Sequence, residues 1–365
     1  MIAALDLLRL AAALSVVAYH WLFWGPENGA IVAFSSTSVG WLAAYGFLGV
    51  QLFFLISGFV ILRSAFGRTA SAFGAGRAAR LYPAFWAGVV LTSATLLITA
   101  QSAPSELLPR VLANLTMMPG VFGQPHLDGV YWTLTLELQF YALVFFFLVI
   151  GRRQWLEGFF PFWAIGMLAT TVFYPDVAAL PLCGDLFTLF AGGAIVALIS
   201  RSGWSVHRAA GLIASVVGAV VATIRHAAAA GEGDSTNPVV LGAVVVLLYA
   251  FIFVLTLPRM AAIRIPGSRF MGALTYPLYL SHAVVGYALL NLWVNPASIG
   301  IGIAVVFVVV VVIALYIHLA VERAGARLWR SLFRVVFLPL TWFEGRAIGR
   351  RTASDTAGLS ASRPS

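Results

Sequence analysis

Ten apolar stretches, each long enough to cross a lipid bilayer, constrain the fold of this chain more than any other feature of its sequence. They lie near residues 4–24, 40–62, 81–100, 130–150, 155–174, 184–200, 209–225, 238–257, 272–293 and 300–320. Hydrophobic residues make up 61% of the chain and charged residues only 10%, which is too few to cover a water-exposed surface. The sequence therefore predicts an all-α polytopic membrane protein with about ten transmembrane helices.

All 22 basic residues are arginine, and they are unevenly distributed. If the N-terminus is cytoplasmic, 19 of them lie in cytoplasmic connections or in the C-terminal segment. Arg110 and Arg225 lie on the opposite side, and Arg9 lies in the first span. Because positive charge concentrates on the cytoplasmic side of membrane proteins, we predict that both termini are cytoplasmic. The same distribution explains the net charge of +9 without a nucleic-acid partner.

The connections and the C-terminal end carry further signals. Connection 101–129 is rich in Pro, Gly and Asn and is long enough to fold over the outer mouth of a cavity. Segment 323–343 alternates Arg with Trp, Leu and Phe, which is typical of an interfacial amphipathic helix. Residues 344–365 are predicted to be a disordered cytoplasmic tail. Cys183 is the only cysteine, which excludes a thiolate metal cluster, and no metal site is predicted.

Asp6, Arg9 and His20 interrupt the first apolar stretch. Arg9 and His20 are 11 residues apart, so at ~100° per residue both side chains point the same way, roughly 16 Å apart along the helix axis. Asp6 precedes Arg9 by three residues and can pair with it. A charge inside a membrane helix costs about 2.5–3.5 kcal/mol, which favours an interior face or a wet cavity. Alternatively, Asp6 and Arg9 lie at the interface, where Arg9 reaches the lipid headgroups.

Glu137 lies in the fourth apolar stretch at a depth similar to that of His20. A carboxylate in the membrane interior must be neutral or paired, and a histidine is a natural partner. We therefore predict that Glu137 orients His20 as a general base.

Arg77 and Arg80 open the third span and share one helix face. Together with Arg9 they could form a fork for the phosphates of a nucleotide. The alternative is that both are ordinary positive-inside charges.

Three further polar residues lie within apolar stretches. Ser57 follows a glycine-containing run that favours close helix packing, and it could form a hydrogen bond across helices. Tyr276 and His282 lie in the ninth stretch, with His282 near mid-membrane as a second candidate base or substrate ligand.

These stretches together resemble the membrane acyltransferase 3 family of O-acyltransferases. The resemblance rests on six motifs. The first three are Asp-x-x-Arg-x10-His at Asp6, Arg9 and His20, G-V-x-L-F-F-x-I-S-G-F over 49–59, and Arg-x-x-Arg-x-Tyr-Pro at Arg77, Arg80, Tyr82 and Pro83. The other three are the Trp-Ser-Leu-x-x-Glu pattern at Trp132, Thr133, Leu134 and Glu137, Y-P-x-Y-L-x-H from Tyr276 to His282, and the pair Glu322 and Arg323. The chain departs from the family pattern at Gln51 for Asp, at Thr133 for Ser and at Ala324 for Pro.

The resemblance covers residues 1–323 and implies that 1–322 is an acyltransferase 3-like transmembrane domain. It implies a cytoplasmic acyl-CoA donor, with acetyl-CoA as the favoured form, and an acceptor hydroxyl on a cell-envelope glycan, lipid-linked sugar or glycosylated small molecule. It also implies a multi-pass protein of the bacterial cytoplasmic membrane, in contact with membrane lipid. The expected site comprises catalytic His20 and Glu137, donor-binding Arg9, Arg77 and Arg80, and supporting Asp6, Ser57, Trp132, Tyr276 and His282.

The sequence leaves open both the chemical route and an alternative function. Direct attack on the thioester and an acyl-enzyme intermediate are both compatible with these residues. A transporter or flippase could also line a pathway with polar groups, although such proteins typically show paired halves or corresponding broken helices, which are not evident in this sequence.

Overall fold

The computed structural model describes residues 2–35 and 37–344, and this part of the chain is helical, without strands. The principal helices are Ala3–Glu27 (α1), Gly40–Ala65 (α2), Ala70–Ile98 (α3), Pro104–Asn114 (α4), Gly129–Val149 (α5), Trp155–Phe173 (α6), Phe187–Ser202 (α7), Val206–Ala229 (α8), Pro238–Thr256 (α9), Ser268–Ser281 (α10), Val284–Trp293 (α11), Pro296–Arg323 (α12) and Ala326–Val336 (α13). Eight of these helices are long and apolar enough to cross a membrane, and the number is nine if the bent pair α10 and α11 counts as one span, against the ten predicted. The predicted all-α polytopic membrane fold is confirmed, while the cytoplasmic location of the termini stays a prediction.

The sixth predicted span corresponds to α7, which has only 16 residues. Every residue from Phe187 to Ile199 is buried. Side chains at Gly58 of α2 or Gly193 of α7 would collide with the backbone of the other helix, so these two helices pack at very close range. Because α7 is enclosed by other helices, its length is not dictated by the thickness of the bilayer.

Helix α12 shows the opposite environment. Its residues are almost all apolar, yet only Val306, Val310 and Ala314 are buried between Ile299 and Tyr316. Large side chains such as Ile301 remain 71% exposed, as expected for a helix that contacts lipid.

The predicted ninth span is broken between α10 and α11, which meet at a bend of 72°. The break falls at His282 and Ala283. It leaves the first N–H groups of α11 without helical partners. The carboxylate of Asp128 accepts one of them, from Val284, at 3.0 Å.

The connection between α3 and α5 is ordered by one buried asparagine. Asn114 donates to the carbonyl oxygens of Arg110 and Pro125 at 2.8 and 3.0 Å and accepts from the N–H of Leu127 at 3.1 Å. This network anchors the connection next to the start of α5.

The C-terminal segment folds as α13 followed by a helical turn over 338–344. Phe333 of α13 is buried against the rings of Tyr82 and Trp86 on α3. Glu344 accepts a hydrogen bond of 3.0 Å from the backbone N–H of Ser71. The interfacial location of segment 323–343 stays a prediction. The predicted disordered tail beyond residue 344 lies outside the described residues.

Candidate active site

A cavity of about 330 Å³ lies between α1, α2, α3, α5 and α10, and we call it the arginine cavity. Seven of the predicted site residues line it: Asp6, Arg9, Ser57, Arg77, Arg80, Glu137 and Tyr276. Arg269 and Tyr141 line it as well. Four arginines face two carboxyl groups, which leaves an excess of positive charge suited to an anionic ligand.

The arginines of this cavity are only partly paired. Arg9 and Asp6 form the predicted i,i+3 pair at 3.4 Å. Arg77 donates to Ser64 Oγ at 2.9 Å and lies over the ring of Tyr141, while its buried Nε has no hydrogen-bond partner in the described part of the chain. A small rotation of the Arg77 side chain would turn this unpaired N–H towards an anion bound in the cavity.

Glu137 accepts hydrogen bonds from Ser57 Oγ at 3.1 Å and from the Tyr141 hydroxyl at 2.7 Å, both at Oε1. The predicted contact between Glu137 and His20 is wrong, because the two residues line different cavities and form no hydrogen bond with each other. A similar depth in the membrane did not mean that the two side chains face each other.

A second cavity, of about 280 Å³, lies towards the other end of α1, and we call it the histidine cavity. It is lined by His20 and Trp132 from the predicted site, and by Tyr19, Gln51, Asp128, His226, Glu232 and Tyr287, among others. Trp132 and His226 lie with ring centroids 5.5 Å apart.

The hydrogen bonds of His20 determine which ring nitrogen is free. Its Nδ1 lies 2.9 Å from the Val16 carbonyl oxygen, which can only accept, so Nδ1 carries the proton. The Nδ1 of His282 likewise donates to the Tyr279 carbonyl at 2.8 Å, which leaves its Nε2 as an acceptor 3.1 Å from His20 Nδ1. Nothing in the described chain bonds His20 Nε2, which is therefore an unprotonated nitrogen on a residue that lines the histidine cavity.

The backbone around His20 also indicates a functional site. The final turns of α1 are π-helical from His20 to Trp24, a geometry that often occurs at functional sites. His282 is fully buried at the break between α10 and α11 and lines neither cavity. It can therefore affect the histidine cavity through its hydrogen bond to His20.

Val50 and Tyr279 line both cavities and form the wall between them. The Tyr279 hydroxyl donates to the Val130 carbonyl at 3.0 Å and lies 2.8 Å from Thr133 Oγ1. The two cavities are therefore neighbours, separated by side chains and not by a whole helix.

A family model described as "Acyltransferase domain" matches residues 2–319, nearly the whole membrane domain. The chain belongs to the acyltransferase 3 family. It is also 33% identical to Nodulation protein 10 of Rhizobium leguminosarum bv. viciae, in an alignment that covers 40% of this chain and 44% of that protein. The matched part is thus less than half of the relative's length. No solved structure matches this chain.

The family match identifies residues 2–319 as an acyltransferase domain, which favours an acyltransferase over the transporter or flippase interpretation. The roles of the individual site residues stay predictions. The acyl-CoA donor and the hydroxyl acceptor are not fixed by family membership alone.

Several residues of the candidate site escaped the sequence analysis. Tyr141 lies four residues after Glu137, a spacing that could have identified it as a partner on one helix face. Arg269 is one of the 19 arginines assigned to the cytoplasmic side by the sequence analysis, which did not consider Glu232. Only the packing of distant segments reveals that these two residues line cavities.

Proposed function

We propose that this acyltransferase transfers an acyl group, in the simplest case acetyl, from cytoplasmic acyl-CoA in the arginine cavity to an acceptor hydroxyl in the histidine cavity. The acceptor is a hydroxyl of a cell-envelope glycan, a lipid-linked sugar or a glycosylated small molecule. The supporting observation is the pair of neighbouring cavities, one with partly unpaired arginines and the other with a free imidazole nitrogen.

Donor binding uses the arginine cavity. Arg9, Arg77 and Arg80 hold the phosphates of CoA through charge-assisted hydrogen bonds. The pantetheine arm then extends along α1 towards His20, about 16 Å away at the rise of an α-helix. Glu137 lies close enough to Arg9 to act on it electrostatically, and it supports the donor site instead of the base.

The chemical step takes place at the wall between the cavities. His20 Nε2 removes the proton from the acceptor hydroxyl, whose oxygen attacks the thioester carbonyl carbon. The carbon–sulfur bond breaks, CoA leaves as a thiolate, and the His20 imidazolium returns the proton to the sulfur. The Nε2 lone pair of His282 accepts from His20 Nδ1–H and stabilises the cation, which makes His282 a positioning residue.

A second route would pass through an acyl-enzyme. Ser57 Oγ donates to Glu137 at 3.1 Å, which is the geometry of a nucleophile next to a base. Direct transfer requires no covalent intermediate, so Ser57→Ala should retain turnover and no labelled protein should form with radiolabelled acetyl-CoA alone. Acetyl label trapped on the wild type and lost in Ser57→Ala would establish the acyl-enzyme route.

The function is tested with the purified enzyme in detergent, radiolabelled acetyl-CoA and a bacterial envelope extract as acceptor pool. We expect label to enter a carbohydrate-containing product, with an acetyl mass shift, and this product should be absent with His20→Ala. His207→Ala, which changes an exposed histidine on α8, is the matched control. Release of CoA without any acylated product from the extract would contradict the proposal.

The orientation of the two cavities can be tested separately. The arginine distribution predicts that reporter fusions after Arg63, Arg153 and Arg269 report the cytoplasm. A fusion within 231–236 should report the opposite side. A periplasmic signal after Arg269 would contradict a cytoplasmic entrance for the donor.

A further inference from the structure

Two residues that line the histidine cavity each carry a buried oxygen atom without a hydrogen-bond partner within the described residues, and a small side-chain rotation would turn each oxygen towards a bound ligand. The two atoms are Gln51 Oε1 and Glu232 Oε2, on residues that are only 1% and 3% exposed. Leaving a buried acceptor unpaired is costly, and such groups in a native protein call for a ligand or water. Both atoms accept hydrogen bonds when Glu232 is ionised, so a ligand that satisfies them must then donate.

The position of Glu232 is fixed by neighbouring groups. The Tyr19 hydroxyl donates to Glu232 Oε1, so that only Oε2 remains free. Thr236 Oγ1 donates to the Glu232 carbonyl at 2.9 Å and holds the turn that carries it. Tyr19 packs edge-on against His20 with ring centroids 4.9 Å apart, which places Glu232 one side chain away from the base.

The walls of the cavity offer apolar faces between these polar groups. Trp24, Trp132, Tyr287 and Phe47 contribute aromatic rings. A sugar ring presents C–H groups on its faces and hydroxyl groups around its rim, which fits aromatic walls with a few hydrogen-bond acceptors. At about 280 Å³ the cavity is slightly below the range of about 300–1,000 Å³ that is usual for drug-sized ligands, so it suits one ring and not an oligomer.

The charged groups that line the histidine cavity limit which ligands it can bind. Its lining within the described chain contains two carboxyl groups, Asp128 and Glu232, and no arginine. The Asp128 oxygens already accept from the N–H groups of Val130 and Val284, at 3.1 and 3.0 Å. An anionic ligand would therefore meet a free carboxyl oxygen without a guanidinium to balance it.

We propose that Glu232 and Gln51 form the recognition subsite for the acceptor, and that this subsite binds a single uncharged or cationic sugar ring through its hydroxyl or amino donors and rejects anionic rings. This inference rests on the proposed function, because it assigns the acceptor to the histidine cavity. Glu232 and Gln51 act here as specificity determinants, separate from the base.

The experiment measures binding of three methyl glycosides by ligand-observed NMR, with the purified enzyme in detergent and no donor. The probes are methyl glucoside, methyl glucosaminide and methyl glucuronide, which share a ring and differ in charge. We expect the first two to bind and the glucuronide to bind at least about tenfold more weakly, the scale of one lost charge-assisted contact. No binding of the neutral and cationic probes, or equal binding of all three, would overturn the proposal.

Two variants test the named residues. Glu232→Gln keeps the shape and still accepts from Tyr19, so the enzyme should fold, while discrimination against the glucuronide should shrink about tenfold. Gln51→Leu should weaken all three probes. Asp234→Asn, an exposed carboxylate in the same connection, and Gln139→Leu, a glutamine outside this cavity with an unpaired buried oxygen, are the matched controls. Unchanged binding in both Glu232→Gln and Gln51→Leu would assign recognition elsewhere.

Failure of this inference can be told apart from failure of the proposed function. Selective binding of the probes without any acetyl transfer to them from acetyl-CoA would contradict the proposed function and leave the recognition subsite standing. Transfer to a sugar acceptor without charge selection would support the function and contradict the subsite.

Discussion

The arginine cavity and the histidine cavity are neighbours along α1, yet they differ in almost every electrostatic respect. The first combines Arg9, Arg77, Arg80 and Arg269 with two carboxyl groups. The second is lined by two carboxyl groups and two histidines, without an arginine in its described lining. One membrane domain thus offers an arginine-rich and an arginine-free environment on either side of a thin wall. This arrangement suits the proposed reaction, in which a phosphorylated donor and a hydroxyl acceptor stay apart until they react.

The two cavities also differ in how their acceptor groups are satisfied. In the arginine cavity, Glu137 Oε1 receives hydrogen bonds from both Ser57 and Tyr141. In the histidine cavity, Glu232 Oε2 and Gln51 Oε1 receive none within the described chain. The arginine cavity therefore has an unpaired hydrogen-bond donor in Arg77 and the histidine cavity has unpaired acceptors. The first suits a ligand that accepts hydrogen bonds, and the second suits a ligand that donates them.

The largest expected effect belongs to the histidine cavity. His20→Ala removes the proposed base and should lower kcat by about 10²–10⁴-fold while the protein stays folded. The measurement is acyl transfer by purified variants of matched expression and melting temperature, with His207→Ala as the control. Near-normal turnover of a folded His20→Ala enzyme would reject this assignment.

Variants of His282 test whether this residue acts through His20. If it acts through His20, the His20→Ala/His282→Ala double variant should be little slower than His20→Ala alone, because residues that act as a unit are not additive. His282→Ala alone should shift the pH dependence of kcat as well as lower it. Independent, multiplicative losses in the double variant would make His282 a separate contributor.

The arginine cavity should respond through the donor. Arg77→Ala and Arg80→Ala each remove a charge-assisted contact worth about 1.5–3 kcal/mol, so the KM for acetyl-CoA should rise roughly ten- to hundredfold with the acceptor KM little changed. Arg264→Ala, an exposed arginine that lines neither cavity, is the control. If both variants keep the wild-type donor KM, these arginines serve topology only.

Glu137 tests whether the two cavities are functionally separate. Glu137→Gln keeps the shape of the side chain but removes the charge near Arg9, so we expect a rise of up to about tenfold in the donor KM, the scale of one charge-assisted contact. A drop in kcat alone, without a change in donor KM, would instead place Glu137 in the chemical step.

The smallest expected effect is a pH dependence of stability. Burial raises the pKa of Glu232 from its ordinary value of 4.5 to about 7. A carboxyl with a raised pKa contributes stability that is complete below the unfolded pKa and is lost as the pH rises through the folded pKa. Between about pH 5 and pH 8 the apparent Tm of the wild type should therefore fall relative to that of Glu232→Gln, with Asp234→Asn behaving like the wild type. Parallel Tm curves for the wild type and Glu232→Gln would mean that Glu232 is not desolvated in this way.

The sequence located the helices well, because apolar runs of about 20 residues leave few alternatives. It was less informative for α7, whose 16 residues are enclosed by other helices and so escape the bilayer length rule. Helical periodicity was enough to find the Asp6–Arg9 pair, which the structure shows at 3.4 Å.

The partner of His20 could not be predicted in the same way. His282 lies 262 residues away in the chain and reaches His20 only because α10 ends and α11 begins at a bend of 72°. Glu137 was the nearer choice by depth, but depth along a helix says nothing about the direction of the side chain around it. Glu232 depended on a connection that folds back over the bundle, which no local pattern encodes.

The wall formed by Val50 and Tyr279 has a consequence for the cell as well as for the reaction. A water-filled passage open at both ends would let protons and ions leak across the membrane. Tyr279, whose hydroxyl is held by the Val130 carbonyl and Thr133, lies between the two cavities and so prevents a continuous passage from one to the other. The proposed transfer of an acyl group across this wall therefore requires no open water path through the membrane.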